Sequence, residues 1–578
     1  VWIIKYVLEL KMQNAKENSG IEMSSYEVVK NYHERTKHRF EAYAAGPETL
    51  DWDAQPAPFR YFKGTTRIAL PDIALTQDHA LLRALDLPFQ QICDPRAVFA
   101  CNLLSIGALL QLSFGITAWK TYGPDRWAVR ANPSSGNLHP IEVYVVVRGI
   151  QEVPDGVYHY CVESHALEYR AEIEEPLNHQ PCLQVGLSAV MWREAWKYGE
   201  RAFRYCQLDT GHAIAALGYA AAVLGWSVHE DKQYTSHAIN QLLGLDRSQD
   251  FPFRRVQDTE LEEGEALLSI QFAAPNAKAA ITKLKQSRRW YGVASGIDAY
   301  PMYRWPIIGE VAQATRYQAA GLLPVARLRS PKVMQKSMQQ STAGMPMISA
   351  AQVILGRRSA QRFDAHYVMP QQSFLQMLVA LIPQDHVPWS AFANYPHINL
   401  VFLVHRVEGM VPGLYLLTRT PRLSQQLDQS LKSQFLRQAV AGVPEQLNFT
   451  LLTPVASAEL HQISRSLHCH QDIAANACFA VGMLAEFDAT LSHDASSYRD
   501  MHREAGLIGQ VLYLQAELHG MRGTGIGCFF DESVHQLLGL TDDTFQTIYH
   551  FTVGLPIDDP RLSTVFTFQS TPTETRPS

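Results

Sequence analysis

Much of this chain is written twice, and that repetition constrains its architecture more than any other feature. Arg35-Thr36-Lys37-His38-Arg39-Phe40 returns as Arg358-Ser359-Ala360-Gln361-Arg362-Phe363, and Gly156-Val157-Tyr158 returns as Gly413-Leu414-Tyr415. Gly211 and the apolar run to Gly225 return at Gly506 to Gly520. Gln241-Leu242-Leu243-Gly244-Leu245 returns at Gln536-Leu537-Leu538-Gly539-Leu540. Between residues 204 and 245 the offset is a constant 295, without a gap. Two similar units in one chain behave as a covalent dimer. A site formed between them exists in two related copies, and one copy can decay while the other is kept.

The totals agree with two units. A length of 578 residues is more than one core supports, and the repeat selects two domains. Apolar residues at 47% and charged residues at 18% describe a globular chain, not a disordered one. A net charge of −6 makes no electrostatic case for nucleic acid or an anionic membrane. Eight cysteines occur with no CxxC or metal-ligand spacing, which fits a reducing, cytoplasmic compartment. The apolar start is broken by Lys5 and Glu9 and lacks a small-residue cleavage site, so it reads as an extension, not a targeting segment. The apolar runs Leu103–Trp119 and Gly211–Val228 carry glycine and polar residues and fall short of the ~20 residues a membrane span needs.

Read for organisation, the chain divides into an extension (1–25), domain 1 (26–289), a connector (290–345), domain 2 (346–565) and a Ser/Thr/Pro-rich tail (566–578). The run Ile141–Val147 and its counterpart Asn399–Val404 read as buried strands. Leu103–Trp119 reads as an amphipathic helix. Residues 204–226 read as a helix whose later half is apolar all round, which places it in a core or a large interface. Helices and strands intermingle with hairpins, so the class is α+β.

The sharpest chemical signal is Arg130-Ala131-Asn132-Pro133-Ser134-Ser135-Gly136-Asn137-Leu138-His139-Pro140. Small residues between two prolines, just before a buried strand, make a stiff backbone that a flat ligand can approach closely. Its amides and the Asn137 side chain are candidate donors to the edge of a heteroaromatic ring. Pro-Ser-x-Gly-x-x-x-Pro with an upstream arginine resembles the flavin loop of the nitroreductase superfamily, and more narrowly the SagB-type azoline dehydrogenases of thiazole/oxazole peptide biosynthesis. The resemblance covers most of residues 26–565. It implies two tandem nitroreductase-like domains forming an intramolecular pseudo-dimer, with FMN held between them and each domain contributing different parts.

Within that resemblance, Arg130, Pro133, Ser134, Ser135, Gly136 and Asn137 form the ring-edge loop. Arg357, Arg358, Ser359 and Arg362 resemble the phosphate grip, where guanidinium groups and a hydroxyl supply charge-assisted hydrogen bonds. Gly527 and Cys528, in Gly525-Ile526-Gly527-Cys528-Phe529-Phe530-Asp531, resemble the segment whose amide donates to flavin N5. Arg561 resembles the terminal arginine near the phosphate. The losses are complementary. Repeat 1 has Glu230-Asp231-Lys232-Gln233-Tyr234 where the N5 segment would be, and repeat 2 has Trp389–Pro396, without the glycine, where the flavin loop would be. One hybrid site is therefore expected, although Arg35-Thr36-Lys37-His38-Arg39 leaves a second grip conceivable.

Lys197-Tyr198 resembles the catalytic pair of azoline dehydrogenases, and repeat 2 has Ser492-His493 at that offset. Aromatising an azoline removes a hydride, which the flavin takes, and a proton, for which a desolvated lysine beside a phenol is a suitable base. The expected function is thus FMN-dependent dehydrogenation of an azoline-type heterocycle in a peptide or natural product. The expected partners are that substrate and peptide-modifying enzymes, with the chain acting as a monomeric pseudo-dimer or a higher homo-oligomer. An NAD(P)H-dependent nitro or quinone reductase, and a flavin-free scaffold for a peptide-modifying complex, stay open as alternatives. His468-Cys469-His470 is too small a ligand set for a metal and reads as structural. Met334 to Met347 reads as adaptable packing. Gly-x-Gly at 525–527 lacks the context of a dinucleotide fold.

Overall fold

The computed structural model describes residues 23–173, 181–252, 259–272, 289–298, 300–318, 347–392, 394, 396–419 and 421–564. The tail expected at 566–578, nearly all of the extension, and most of the methionine-dotted stretch lie outside these residues. Alternating and continuous apolar runs form strands, all paired antiparallel. The first seven-stranded sheet runs β2 (Arg67–Ala69), β7 (Ala166–Glu172), β6 (Gly156–Cys161), β5 (Ile141–Arg148), β8 (Cys182–Ala189), β10 (Glu263–Gln271), β9 (Ser227–Glu230). The second runs β14 (Gln438–Ala439), β15 (Phe449–Pro454), β13 (Gly413–Leu417), β12 (Ile398–Val404), β16 (Phe479–Glu486), β18 (Phe545–Gly554), β17 (Arg522–Ile526). Leaving aside each outermost edge strand, β2 and β14, the six remaining strands follow the same order relative to the chain. The repeat in sequence is a repeat in topology.

Two small sheets complete the set: β1 (Phe62–Lys63) with β11 (Val293–Ala294), and β19 (Leu562–Thr564) with β3 (Ile116–Tyr122) and β4 (Asp125–Arg130). β19 follows the second large sheet in the chain, yet it pairs with β3, which falls between β2 and β5 of the first. Thr121 N donates to Arg561 O at 2.9 Å beside that pairing.

Between the large sheets lie two buried helices, Ala202–Val223 and Ser497–Leu518. They cross where Gly211 meets Arg503 and Gly506 meets Leu208: a Cβ at either glycine would strike the carbonyl oxygen of the facing helix. Helix backbones touch here with nothing between them. The gapless offset of 295 pairs Gly211 with Gly506, so one contact is made twice.

Chain segments are also exchanged across this crossing. The helix Ser25–Arg35 opens on a capping box at Ser24 and Glu27, which satisfies the first free amides. It reaches the second sheet's surroundings through Tyr26 Oη to Asp488 (2.6 Å) and Lys30 to Asp543 (2.8 Å). The helix Ala350–Gly356, capped in the same way by Ser349, docks the other way: Ala350 N donates to Leu87 O at 2.7 Å and Phe89 N to Ile348 O at 2.9 Å.

One reading of the sequence is corrected. Leu103–Trp119 is not one amphipathic helix: the helix ends at Phe114, is buried on almost every side, and β3 begins at Ile116. Gly115 makes the break, because a Cβ there would meet the Gln111 carbonyl at 2.6 Å. Within the stretch 290–345 lie β11 and the helix Pro306–Ala314.

The crossing predicts a contrast. Gly506→Ala should destabilise the protein by about 1–3 kcal/mol, the usual cost of overpacking. Gly218→Ala, in the same helix as Gly211 but facing the Ala391 Cβ at an ordinary 3.5 Å, should gain up to about 1 kcal/mol from helix propensity. Denaturant unfolding of both variants checks this, and equal effects would remove the crossing from its place in the fold.

Candidate functional site

A cavity of about 860 Å³ opens beside the helix crossing, a size within the ~300–1,000 Å³ of cofactor sites. Its lining includes Arg130, Pro133, Ser134, Ser135, Gly136, Asn137, Lys197, Tyr198, Arg357, Arg358, Ser359, Gly527, Cys528 and Arg561. Every residue of the expected hybrid site and of the Lys-Tyr pair except Arg362 meets there. Arg362 is exposed and outside the lining; its carbonyl accepts from Ile557 N at 3.0 Å.

The loop before β5 is locked by its own polar groups. Ser135 donates its backbone N–H (3.1 Å) and hydroxyl (3.0 Å) to Asp209, on the Ala202–Val223 helix. His139 N donates to Ser134 Oγ at 2.8 Å. Asn137 adopts φ 60° and spends its side chain inside the protein, Nδ2 donating to Ala128 O (2.9 Å) and Oδ1 facing His139 Nε2 (3.1 Å). Its expected part as a ring-edge donor is thus corrected: Asn137 braces the loop against β4. The cavity-facing amide with capacity to spare is Asn132, which is buried with Oδ1 unpartnered among the described residues.

Gly136 is required twice, by a φ of 58° and by Tyr198, whose hydroxyl would lie 2.5 Å from an added Cβ. Tyr198 therefore lies directly on the loop. Its ring meets Tyr205 at 4.6 Å, and a Cβ on Gly527 would collide with the Tyr205 ring. One aromatic layer connects the loop, the Lys-Tyr pair and the Gly525–Cys528 segment.

Arg357 and Arg358 are buried at the C-terminal end of the Ala350–Gly356 helix. Arg357 donates Nε to Ala131 O (2.9 Å) and Nη2 to Arg130 O (3.0 Å), while Nη1 has no partner among the described residues. Arg358 donates to Leu355 O and Arg357 O (both 2.7 Å) and to Thr117 O (3.0 Å). These guanidinium groups are held by carbonyls, with no carboxylate bonded to either among the described residues. Burial, and then the neighbouring Arg357, push Arg358 down to about 10. An anion placed here would relieve that cost. Ser359 Oγ and Tyr513 Oη lie 2.8 Å apart, and Gly525 N donates to the same Tyr513 oxygen at 3.2 Å. Arg561 stands at the rim, bidentate to Asp559 (2.7 and 2.8 Å).

The Arg35–Arg39 motif ends differently. Arg35 pairs with Glu200 and Arg39 with Glu34, while Lys37 reaches Glu34 at 2.8 Å. Its cations are already neutralised by carboxylates.

The electrostatics follow from burial. Lys197 is partly buried, within 5.7 Å of the Trp52 ring, and desolvation lowers its pKa, with Glu194 opposing. Glu194 is wholly buried and neither oxygen is hydrogen-bonded among the described residues. Desolvation, then Asp209, push its carboxyl pKa well up, against the nearby Lys197. Asp209 itself is raised to about 7 by burial, against the hydrogen bonds from Ser134 and Ser135. Perturbed groups gathered in one cavity mark a functional site. Asp209, Asn132, Tyr205, Tyr513 and Tyr549 were not picked out from the sequence. The available signal was Asp209, a carboxylate in an otherwise buried helix.

Asp209 generates a signed prediction. Its folded pKa lies above the ordinary 3.8, so the folded state binds the extra proton and the stabilisation is present at low pH. It is lost as pH rises from about 4 to about 7. Asp209→Asn should therefore gain stability relative to the parent over that window and level off above it. Unfolding free energies measured across this range check the slope, and an opposite slope would place Asp209 in a salt bridge instead.

Comparison with known proteins follows this geometry. Residues 354–555 match the model of the nitroreductase family. A protein of Methanocaldococcus jannaschii named as a nitroreductase is 24% identical over 195 residues, covering 31% of this chain and 91% of that one. The trifolitoxin-processing protein TfxB of Rhizobium leguminosarum bv. trifolii is 32% identical over 136 residues, 20% of this chain and 36% of that protein. The crystal structure of a protein named as a nitroreductase from Anabaena variabilis superposes with a TM-score of 0.63 at 21% identity, over 92% of this chain and 99% of that one. That likeness establishes a shared fold across nearly the whole molecule. The match to the nitroreductase family model is confined to residues 354–555, within an α+β fold that repeats its topology on either side of one cavity.

Proposed function

We propose that the chain is an FMN-dependent, SagB-type dehydrogenase that oxidises an azoline-type heterocycle in a peptide or natural product at one site of an intramolecular pseudo-dimer. One observation carries this reading. The loop Pro133–Asn137 and Lys197-Tyr198, from the first half, line the same cavity as Arg357–Ser359, Gly527-Cys528 and Arg561, from the second. Neither half supplies the set alone.

The residues fit FMN. Arg357, with its unpartnered Nη1, Arg358, Ser359 and Arg561 would hold the phosphate. The backbone of Pro133–Asn137 and the Asn132 side chain would line the ring edge, and the Gly527-Cys528 amides the N5 side. Glycine at 136 and 527 lets the Tyr198 and Tyr205 rings pack against these segments, where a Cβ would collide with them. Bound FMN supplies a two-electron acceptor. The chain's own residues handle the proton: Lys197, whose pKa desolvation lowers, takes it from the substrate carbon. Tyr198, packed between Gly136 and Tyr205, orients the heterocycle and shields it from water. The likeness to a toxin-processing protein supports a peptide-derived substrate with partner enzymes.

A single site is supported by what fills the related position. At the 295-residue offset, Lys232 stands for Gly527, Asp500 for Tyr205 and Glu504 for Asp209. Lys232 binds Asp500 (3.0 Å), Tyr317 (3.0 Å) and Glu230 (3.1 Å), and Arg503 binds Glu265 (2.6 Å). Glu504 accepts from His397 N (2.7 Å) and pairs with the buried Arg419 guanidinium. Removing any one partner would leave an uncompensated buried charge, so this place is closed to a ligand.

Titration of the purified chain with FMN, followed by flavin fluorescence, should saturate at one equivalent; saturation at two would end the single-site reading. Lys197→Ala should keep FMN and lose at least ~100-fold in azoline oxidation, in line with general-base contributions. Full activity in that variant would remove the base assignment. Rapid bleaching of the flavin band by NADPH would favour the reductase alternative.

A further inference from the structure

The cavity wall holds a chemistry that the flavin reading does not use. Cys469 and Cys528 both line the cavity, both are half-buried, and neither is in a disulfide. They arrive from different elements: Cys469 from the turn after the helix Ser457–Leu467, Cys528 from the loop after β17. The segments meet beside the two thiols: Phe530 N donates to Leu467 O (2.9 Å), and Asp531 N donates to the carbonyl of His38, from the N-terminal segment (3.1 Å). Gln471 Nε2 donates to Cys528 O (3.1 Å) and Arg201 Nη2 to Gly527 O (3.0 Å), so the Cys528 backbone is anchored on both sides. Cys469 and His470 adopt φ values of 52° and 60°, a strained left-handed pair of non-glycine residues of the kind that persists at functional sites. No group of three or more His, Cys, Asp or Glu able to hold a metal occurs among the described residues, which leaves thiol chemistry.

We propose that Cys469 and Cys528 form a reversible thiol–disulfide pair that exchanges with low-molecular-weight disulfides. Cys528 is the attacking sulfur. The neighbouring Cys469 thiol, then His38 and the charge of Arg201, favour the thiolate against burial, while the Cys469 thiol is pushed up. The thiolate is the nucleophile in such exchange. Cys528 sulfur bonds to one sulfur of the small disulfide and expels the other half as a thiol. Cys469 then attacks Cys528, forms the intramolecular bond and releases the second half. Two protein thiols become one disulfide, one small disulfide becomes two small thiols, and atoms and electrons balance. The closed bond would tie the Gly525–Cys528 segment to the 468–470 turn. The pairing stands on the thiols alone; only its effect on FMN rests on the function proposed above.

The test uses the reduced full chain and oxidised glutathione at neutral pH, with thiol counting after denaturation and peptide mapping by mass spectrometry. Two of the eight thiols should disappear together, a Cys469–Cys528 linked peptide should appear, and dithiothreitol should reverse both. Cys469→Ser should accumulate a glutathione adduct on Cys528. Separate glutathione adducts without a linked peptide, or reaction at other cysteines first, would overturn the pairing. Mapping on the unmodified chain gives this answer even where a variant fails to fold. FMN affinity of reduced and oxidised protein is read separately: a difference of several-fold or more is expected, and equal affinity would sever the pair from the cofactor site while leaving the exchange intact.

Discussion

The structure depends on one constraint: two long helices touch backbone to backbone at Gly211 and Gly506. Any side chain larger than hydrogen at either point would push the helices apart, and with them the sheets on either side. Close approach is what lets Tyr205 and Asp209, on one helix, share a cavity with Tyr513, on the other. The exchanged segments make the joint harder to open. Ser25–Arg35 reaches one way, Ala350–Gly356 the other, and β19 returns to pair with β3. The cavity walls are thus contributed by chain segments hundreds of residues apart, held in register by a single crossing.

Charge distinguishes the two ends of this arrangement. Around the cavity, Arg357 and Arg358 are bonded to carbonyls, Lys197 has no carboxylate hydrogen bond among the described residues, and burial raises the carboxyl pKa values of Glu194 and Asp209. At the related position, Lys232, Asp500, Arg503, Glu265, Glu504 and Arg419 neutralise one another. Buried charges that lack opposite partners are costly. A protein tolerates them where a ligand or a reaction uses them, and paired networks serve equally well as packing. The fold is common to both ends, so function follows the charges and not the topology.

Much of the site was legible because its chemistry lies in short contiguous strings. Pro133–Asn137, Arg357–Ser359 and Gly527-Cys528 are local motifs whose residue types announce close backbone approach or anion binding. Arg362 falls outside the cavity because the chain leaves the helix at Gly356 and Ser359 bridges to Gly523. Asn137 was misread because a polar side chain in a turn can bond inward or outward, and only the positions of Ala128 and His139 decide which. Asp209 was missed because nothing in its neighbours along the chain shows that Ser135 lies opposite it.

By itself the sequence determined that the molecule is a repeat, that its strands and central helices are apolar, and that two glycines recur at one register. Those properties reside in residue types and their spacing, which sequence carries directly. Only the tertiary structure decided which half-motifs meet, which carboxyl pKa values burial raises, and which of two related positions is filled by ion pairs. Each of these depends on distances between residues remote in the chain, and on the water excluded when the two helices come together.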